Sequence, residues 1–362
     1  MHQQRSFLSR AECYMLKAIA IVMIMAHNFA HMIPGTVQEN EYGFSAERTM
    51  QLLHALANPD WQLPLHLLSF FGHYGVPLFL LLSGYGLVMK YERDGHAGMG
   101  SPWAFVAQHY GKLLRLMLLG LIAFLAIYHF THHPISKWNV AAQLTMVVNL
   151  LSEPWARIKP GPYWFFGLMM QVYVVYRLVL YAPPGARRWR WLGPVLLMVL
   201  CHVAQEAGWL VGGDKLVYWM RYNLLVAGLP LGMGLLAGRY CSALQLRKGL
   251  GWAAVLLFAA LTTVMNLNSH AWLLAPLAVM AGGVALVRIL PQCTHKVLIW
   301  VGGLSPMLFV VHPIVRQLLI KQAQASHPYL WLLAYLALSV LAAVAYQWLL
   351  QQPWLKAGTT SN

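Results

Sequence analysis

The stretch Leu16–His31, LKAIAIVMIMAHNFAH, decides how the rest of the chain is interpreted, because it is largely apolar and yet carries ionisable side chains. Lys17 stands near its start, and His27 and His31 stand near its end. A helix places the two histidines on one face, since they are four residues apart. Ionisable groups are costly in hydrocarbon and usually face a bundle interior or a water-filled cavity. The structural alternative is a lysine that reaches the membrane surface and a histidine that bonds to a neighbouring helix.

The composition predicts an all-α polytopic membrane protein. Of the 362 residues, 59% are hydrophobic and only 10% are charged, whereas soluble domains carry roughly 25% charged residues. We interpret the net charge of +15 as loop cations that face cytoplasm and anionic lipid. Basic runs mixed with stacking aromatic residues are absent from the sequence, so membrane lipid is an expected partner and nucleic acid is not.

Windows of about 20 apolar residues predict ten transmembrane helices. An apolar piece at 140–151 is too short to cross and is expected to be re-entrant or interfacial. The polar outer segment at about 34–63 contains a helix-like patch around Ala46–Leu56. We expect one membrane domain over residues 1–362. The ten predicted spans lie near 14–33, 64–89, 103–128, 162–182, 191–211, 219–238, 249–268, 271–290, 297–318 and 328–350.

The distribution of cations predicts that both termini are cytoplasmic. With the first residue inside and one crossing per span, only eight of the 25 Lys and Arg residues lie outside, as the positive-inside rule favours. Counting 140–151 as a crossing would move Arg187, Arg188 and Arg190 outside. The eight outer cations are Arg48, Lys137, Arg157, Lys159, Lys215, Arg221, Arg316 and Lys321.

Polar side chains also occur in the second and third spans. His73 and Ser83 lie in the second, with Tyr85 just beyond them, and a structural hydrogen bond is the alternative to a functional role for His73. Lys112 and Arg115 are three residues apart on one face of the third span. They indicate either an anion site, in which arginine grips phosphate with two hydrogen bonds, or side chains that reach the membrane surface.

Two later spans carry candidate residues of the same kind. Tyr163 and Trp164 follow a Pro-Gly-Pro turn, and an interfacial aromatic belt is the structural alternative for them. Gln171, seven residues further on, shares their face and indicates a cavity. His312 stands just before Pro313, which leaves a backbone carbonyl free, so a local hydrogen bond is the alternative there.

This set of residues favours acyl transfer without a protein nucleophile. The sequence has no G-x-S-x-G, Walker or H-E-x-x-H motif, and no carboxylate in the span of His27 and His31 completes a set of three metal ligands, so no metal is expected. A histidine base activates a hydroxyl, commonly for about 10²–10⁴ in rate. Cations suit the phosphates of an acyl-CoA donor.

From about residue 10 to 350 the chain resembles the acyltransferase-3 family of integral membrane O-acyltransferases. LKAIAIVMIMAH resembles the family motif R-x10-H, which assigns His27 as the base. GHYGVPLFLLLSGYGL resembles G-V-x-L-F-F-x-x-S-G-Y, which includes Ser83 and Tyr85. The family arginine is Lys17 here, one residue closer to the histidine, and Arg10 is the alternative cation.

Three further motifs follow in the family's order. YGKLLRL resembles the basic third-helix segment, reduced here to His109, Lys112 and Arg115. PYWFFGLMMQVYVVY is similar to W-Y-L-x-x-L-x-x-Y and carries Trp164. SPMLFVVHPIV resembles S-x-x-x-Y-L-x-H-x-P-I and carries His312.

The resemblance implies transfer of an acyl group, acetyl by default, from cytoplasmic acetyl-CoA to a hydroxyl of an extracytoplasmic glycan or lipid-linked sugar. The expected location is the bacterial cytoplasmic (inner) membrane. The alternatives are a proton-coupled transporter or channel that uses its histidines, and an acyltransferase-like scaffold that binds lipid or a partner. We assign catalysis to His27, His73 and His312, acetyl-CoA binding to Lys17, Arg10, Lys112, Arg115, Ser83 and Tyr85, and acceptor binding to His31, Asn28, Tyr163, Trp164 and Gln171.

Overall fold

The protein is a bundle of helices that confirms the predicted fold class. The computed structural model describes residues 6–93, 100–131, 135–183, 185–243 and 247–352, and it contains no β-strand within those ranges. Nine continuous helical segments of the described chain are long and apolar enough to cross a membrane, and two of them, Leu63–Arg93 and Gly161–Leu180, join α-helices to 3₁₀ and π-helical turns. The shorter apolar helix Leu224–Tyr240 corresponds to the remaining predicted span. The chain is therefore a multi-pass membrane protein.

Fourteen α-helices occur in the described chain. They are α1 (Arg10–Ala30), α2 (Ala46–Ala57), α3 (Leu63–Phe71), α4 (Gly75–Val88), α5 (Pro102–Thr131), α6 (Lys137–Leu144), α7 (Pro154–Arg157), α8 (Trp164–Val175), α9 (Trp189–Arg221), α10 (Leu224–Tyr240), α11 (Lys248–Met265), α12 (Ser269–Ile289), α13 (Gln292–Ala325) and α14 (Pro328–Leu350). Short 3₁₀ turns at Gly72–Tyr74, Val148–Leu150 and Gly161–Tyr163 and π-helical turns at Met89–Arg93 and Tyr176–Leu180 extend this framework.

The predicted short piece at 140–151 does not form a crossing helix. It divides between the end of α6 and the 3₁₀ turn Val148–Leu150. Positive φ at Met146 (60°) interrupts the helical backbone between them. In the outer segment, α2 covers the helix-like patch that the sequence predicted.

Helix α1 lies at the centre of the bundle and has a well-defined start. The Ser9 hydroxyl accepts a hydrogen bond from Glu12 N at 3.2 Å, and the Glu12 carboxylate accepts one from Ser9 N at 2.7 Å. This reciprocal pair satisfies backbone donors that the first turn leaves free. The helix then packs against α13 on one side and against α3 and α4 on the other.

Glycines allow backbones to approach α1 closely on both sides. A Cβ at Gly72 would lie 2.5 Å from His27 Cβ and 2.6 Å from Met23 O. A Cβ at Gly75 would collide with Ala20 O, and one at Gly302 of α13 would collide with the carbonyl of Tyr14. Small residues are the usual contact residues between membrane helices, and here they fix the depth and rotation of α1.

A buried ion pair joins several helices at the end of the bundle that also holds Lys17. We call this the inner end and the opposite end the outer end. Arg239 of α10 donates two hydrogen bonds to the Glu92 carboxylate, from Nη2 at 2.7 Å and from Nε at 2.8 Å. Arg190 lies 3.5 Å from Glu92 Oε2, and Tyr176 donates to Oε1 at 3.1 Å. The side chains of Glu92 and Arg239 have no solvent exposure. Each neutralises the charge of the other, which lipid would not solvate.

Candidate active site

His27 is held in one orientation by the backbone. Its Nδ1 lies 2.7 Å from the carbonyl oxygen of Ser69, at the end of α3. A carbonyl only accepts, so Nδ1 carries the proton and Nε2 keeps its lone pair when the ring is neutral. The residue is only 2% exposed, yet it lines a cavity toward the outer end. The ring therefore offers a proton acceptor to the cavity.

Two carboxylates and a second histidine surround that nitrogen. Glu41 Oε2 lies 3.5 Å and Glu39 Oε1 3.9 Å from His27 Nε2. His31 Nδ1 lies 3.4 Å from the same atom. Burial of the Glu39 side chain raises the pKa of its carboxyl, and the charge of His27 opposes that shift. The carboxylates favour an imidazolium at His27 once a proton has been taken up.

The backbone around these carboxylates is fixed by three donors from different parts of the chain. Arg48 Nη1 donates to Glu39 O at 2.7 Å. Trp272 Nε1 donates to Asn40 O at 2.7 Å, and the Arg221 guanidinium donates to the carbonyl of Glu41. The outer segment is therefore folded back onto the end of α1.

The outer cavity has a volume of about 430 Å³. Its walls combine the polar cluster at His27 with aromatic rings and the cation Arg316, which donates to Asn28 Oδ1 at 2.9 Å. Such a mixture of apolar faces and a few polar groups is typical of small-molecule sites. The aromatic residues on its walls include Tyr42, Trp155, Trp164, Tyr218, Tyr222 and Phe309.

A second cavity of about 310 Å³, the inner pocket, lies on the Lys17 side of the bundle. Lys17, Lys90 and Lys112 line it together with His109 and Ser83. Three ammonium groups around one opening provide an attractive field for phosphate groups. Along α1, Lys17 and His27 are separated by roughly 15 Å at 1.5 Å per residue.

Eight of the residues that the sequence singled out as site candidates lie on one of these two cavities. His27, Asn28, His31, His73 and Trp164 line the outer cavity, and Lys17, Ser83 and Lys112 line the inner pocket.

Three candidate donor-binding residues lie away from the inner pocket. Arg115 donates to the backbone carbonyl of Leu350 at the end of α14. The Tyr85 hydroxyl donates to Leu8 O at 2.8 Å, which ties the residues before α1 to α4. Arg10 is exposed in the first turn of α1.

Three other candidates form hydrogen bonds within the bundle. The Tyr163 hydroxyl donates to Val310 O at 3.1 Å. Gln171 Nε2 donates to Asn223 Oδ1 at 2.8 Å, so this polar group joins α8 to the start of α10. His312 is completely buried, and its Nδ1 lies 3.0 Å from a carbonyl one turn earlier in α13. That local bond is the structural alternative considered for His312.

His73 differs from these residues because it adjoins the cluster. Its ring centroid is 5.7 Å from that of His27, in an edge-to-face arrangement. Neither of its ring nitrogens has a hydrogen-bond partner among the described residues, although both are buried. His73 therefore adjoins the His27 cluster, and both of its ring nitrogens are shielded from the cavity by their surroundings.

Sequence reasoning missed Glu39, Glu41, Lys90 and Arg316. The carboxylates did carry a signal: the chain has only ten acidic residues, and Glu39, Glu41 and Glu47 stand together just after the helix that bears the histidines. The expectation of no metal rested on the lack of a carboxylate in the same span. The structure supplies one from outside it, since His27, His31 and Glu39 have ligand atoms within 4.8 Å of one another.

The comparisons with known proteins assign most of the chain to one family model. The model described as an acyltransferase domain, of type 3, matches residues 15–348. No curated protein and no solved structure gives a significant match. The matched region includes both cavities and every side chain of the His27 cluster.

Proposed function

The chain belongs to the acyltransferase-3 family, and we propose that this membrane acyltransferase moves an acetyl group from cytoplasmic acetyl-CoA to an acceptor hydroxyl. In this proposal His27 is the general base, and the acceptor is an extracytoplasmic glycan or lipid-linked sugar. The protein lies in a bacterial inner membrane, and the inner end of the bundle faces the cytoplasm. The observation that carries the proposal is the orientation of His27, whose Nδ1 is bonded to Ser69 O while Nε2 faces the outer cavity.

The geometry at His27 supports a base. The hydrogen bond to Ser69 O selects the tautomer in which Nε2 accepts a proton. Glu41 and Glu39, at 3.5 and 3.9 Å, stabilise the positive ring that results. Proton transfer to a positioned side chain contributes about 10²–10⁴ to a rate.

The inner pocket supports binding of the donor. Lys17, Lys90 and Lys112 match the phosphates of CoA by charge. The long pantetheine arm separates those phosphates from the thioester, so the thioester extends along α1 toward His27. Lys17 takes the place of the family arginine. Its ammonium group acts as a point charge and cannot form the paired hydrogen bonds that a guanidinium makes to phosphate.

The reaction needs no protein nucleophile. His27 Nε2 takes the proton of the acceptor hydroxyl as the oxygen attacks the thioester carbonyl. The new C–O bond forms, the C–S bond breaks, and the CoA thiolate takes up the proton from the imidazolium. The products are the ester and CoA-SH, and His27 returns to its neutral form.

The walls of the outer cavity support a sugar acceptor. Tyr42, Trp164 and Tyr222 line it as one packed aromatic group, in which Tyr42 stacks on Tyr222 and Trp164 meets Tyr222 edge to face, and such an apolar wall suits the C–H groups of a sugar ring. Glu39 and Glu41 accept hydrogen bonds from hydroxyl groups. His31 and Asn28 complete the polar side of this wall.

The test compares His27→Gln with a matched control, His54→Gln, whose side chain is exposed on α2 outside both cavities. Purified protein in vesicles receives labelled acetyl-CoA and a panel of glycan and lipid-linked sugar acceptors. We expect His27→Gln to lose about 10²–10⁴ in kcat, the control to match the native rate, and both to gain thermal stability from acetyl-CoA. Full transfer by His27→Gln would exclude the base role. Proton flux without consumption of acetyl-CoA would favour the transporter.

A further inference from the structure

We propose that His27, His31 and Glu39 form a binding site for a zinc-type divalent cation, and that this ion and base catalysis by His27 exclude each other. The first half rests only on the geometry of the cluster. The second half rests on the proposed function, because it assigns the same lone pair to two uses. The site would make zinc an inhibitor of transfer.

The ligand atoms lie close to the positions that zinc requires. His27 Nε2 and His31 Nδ1 are 3.4 Å apart, and Glu39 Oε1 lies 3.9 Å from each of them. Zinc binds nitrogen and carboxylate oxygen at about 2.0–2.2 Å in a tetrahedron, which places neighbouring ligand atoms about 3.4 Å apart. A shift of roughly half an ångström would bring Glu39 Oε1 to this separation from both histidine nitrogens.

The surroundings of the ligands fit a metal site as well. His27 donates its other ring N–H to the Ser69 carbonyl, which is the outer contact that metal-bound histidines usually make. Glu39 Oε2 is buried without a hydrogen-bond partner among the described residues. Glu41 Oε2, 3.5 Å from His27 Nε2, adds a second negative charge against a dication.

The site has an open side. The cluster lines the outer cavity, so a bound ion would have three protein ligands and a fourth position for water or Glu41. Metal ligands must be deprotonated, and a lone pair shared with a cation accepts no proton. Occupied by zinc, His27 cannot act as a base.

The binding test uses purified protein in detergent, with an affinity tag that contains no histidine, and equilibrium dialysis against zinc. We expect one ion per chain, and at least a tenfold weaker Kd in His31→Gln and in Glu39→Gln. The matched control is His270→Gln. His270 Nδ1 lies 2.7 Å from Glu206 on the outer surface, which reproduces a histidine–carboxylate pair away from the cavity. This control should bind zinc as the native protein does.

Three results would overturn the metal site: no stoichiometric zinc, a Kd unchanged by His31→Gln and Glu39→Gln, or a loss of binding in His270→Gln. In the transfer assay, zinc should inhibit with half-maximal effect at its Kd. Activation by zinc would overturn the exclusion. Binding through these ligands in a protein that transfers no acetyl group would retain the metal site and reject the proposed function, so the two failures are distinguishable.

Discussion

Gly72→Ala tests whether the placement of His27 depends on the close approach of two backbones. Gly72 begins the 3₁₀ turn between α3 and α4. The added Cβ would stand 2.5 Å from His27 Cβ and 2.6 Å from Met23 O. Favourable carbon–carbon contacts lie at about 3.5–4.0 Å, so α1 and the turn must move apart by about 1 Å.

That displacement acts directly on the proposed base. The hydrogen bond from His27 Nδ1 to Ser69 O, 2.7 Å long, joins the same two segments, and an extra 1 Å removes it. A misplacement of this size costs about 10² in rate, and overpacking a membrane helix contact costs about 1–3 kcal/mol of stability. We therefore expect Gly72→Ala to remain folded, with a lower melting temperature and a much lower kcat.

The assay measures acetyl-CoA consumption with acceptor and thermal unfolding in detergent. The control is Gly303→Ala in α13, where an added Cβ meets no atom within 4 Å, and it should behave as the native protein does. A folded Gly72→Ala protein with the native kcat would refute the claim that this contact orients His27.

Three other substitutions test separate parts of the structure. Glu41→Gln removes the carboxylate nearest to His27 Nε2, so kcat should fall roughly 10- to 100-fold with little change in KM for acetyl-CoA, as steady-state kinetics would show. A change in KM for acetyl-CoA with the native kcat would contradict this role of Glu41. Lys112→Ala should raise KM for acetyl-CoA about tenfold, because a phosphate contact is lost. The control Arg115→Ala, whose guanidinium bonds to the backbone of α14, should leave that KM unchanged, and equal effects would contradict the assignment of the inner pocket. Arg239→Ala leaves the carboxylate of Glu92 buried and partly unpaired, so thermal unfolding should show a loss of about 3–5 kcal/mol. A melting temperature equal to that of the native protein would contradict it.

The sequence predicted most of the fold because membrane spans are local features. A run of about 20 apolar residues is sufficient to identify each one. The apolar length of 140–151, together with the distribution of cations, kept that piece from being counted as a crossing, and in the structure it is divided between α6 and a 3₁₀ turn. The predicted span 219–238 overlaps the apolar helix Leu224–Tyr240. The helix at Ala46–Ala57 likewise follows the apolar patch noted at Ala46–Leu56.

The candidate site was only partly predictable, since half of it depends on contacts between distant residues. His27 and His31 share a helix face, and spacing alone predicts that. Glu41 reaches His27 because Arg221, 180 residues away, bonds to its backbone, and no local pattern encodes such a contact. Lys112 and Arg115 look equivalent in sequence, yet only Lys112 lines the inner pocket, because α14 ends beside Arg115.

The glycine contacts on both sides of α1 have a mechanical consequence. At Gly75 and Gly302 the neighbouring main chains meet carbonyl groups of α1 with no side chain between them. Translation or rotation of α1 would bring larger side chains into these close backbone contacts. The contacts therefore hold α1 in a fixed position relative to α4 and α13. In the proposed reaction, the flexible pantetheine arm of CoA, and not a movement of α1, then brings the acetyl group from the inner end of the bundle to His27. A rocking transporter needs the opposite property, a central helix that is free to tilt.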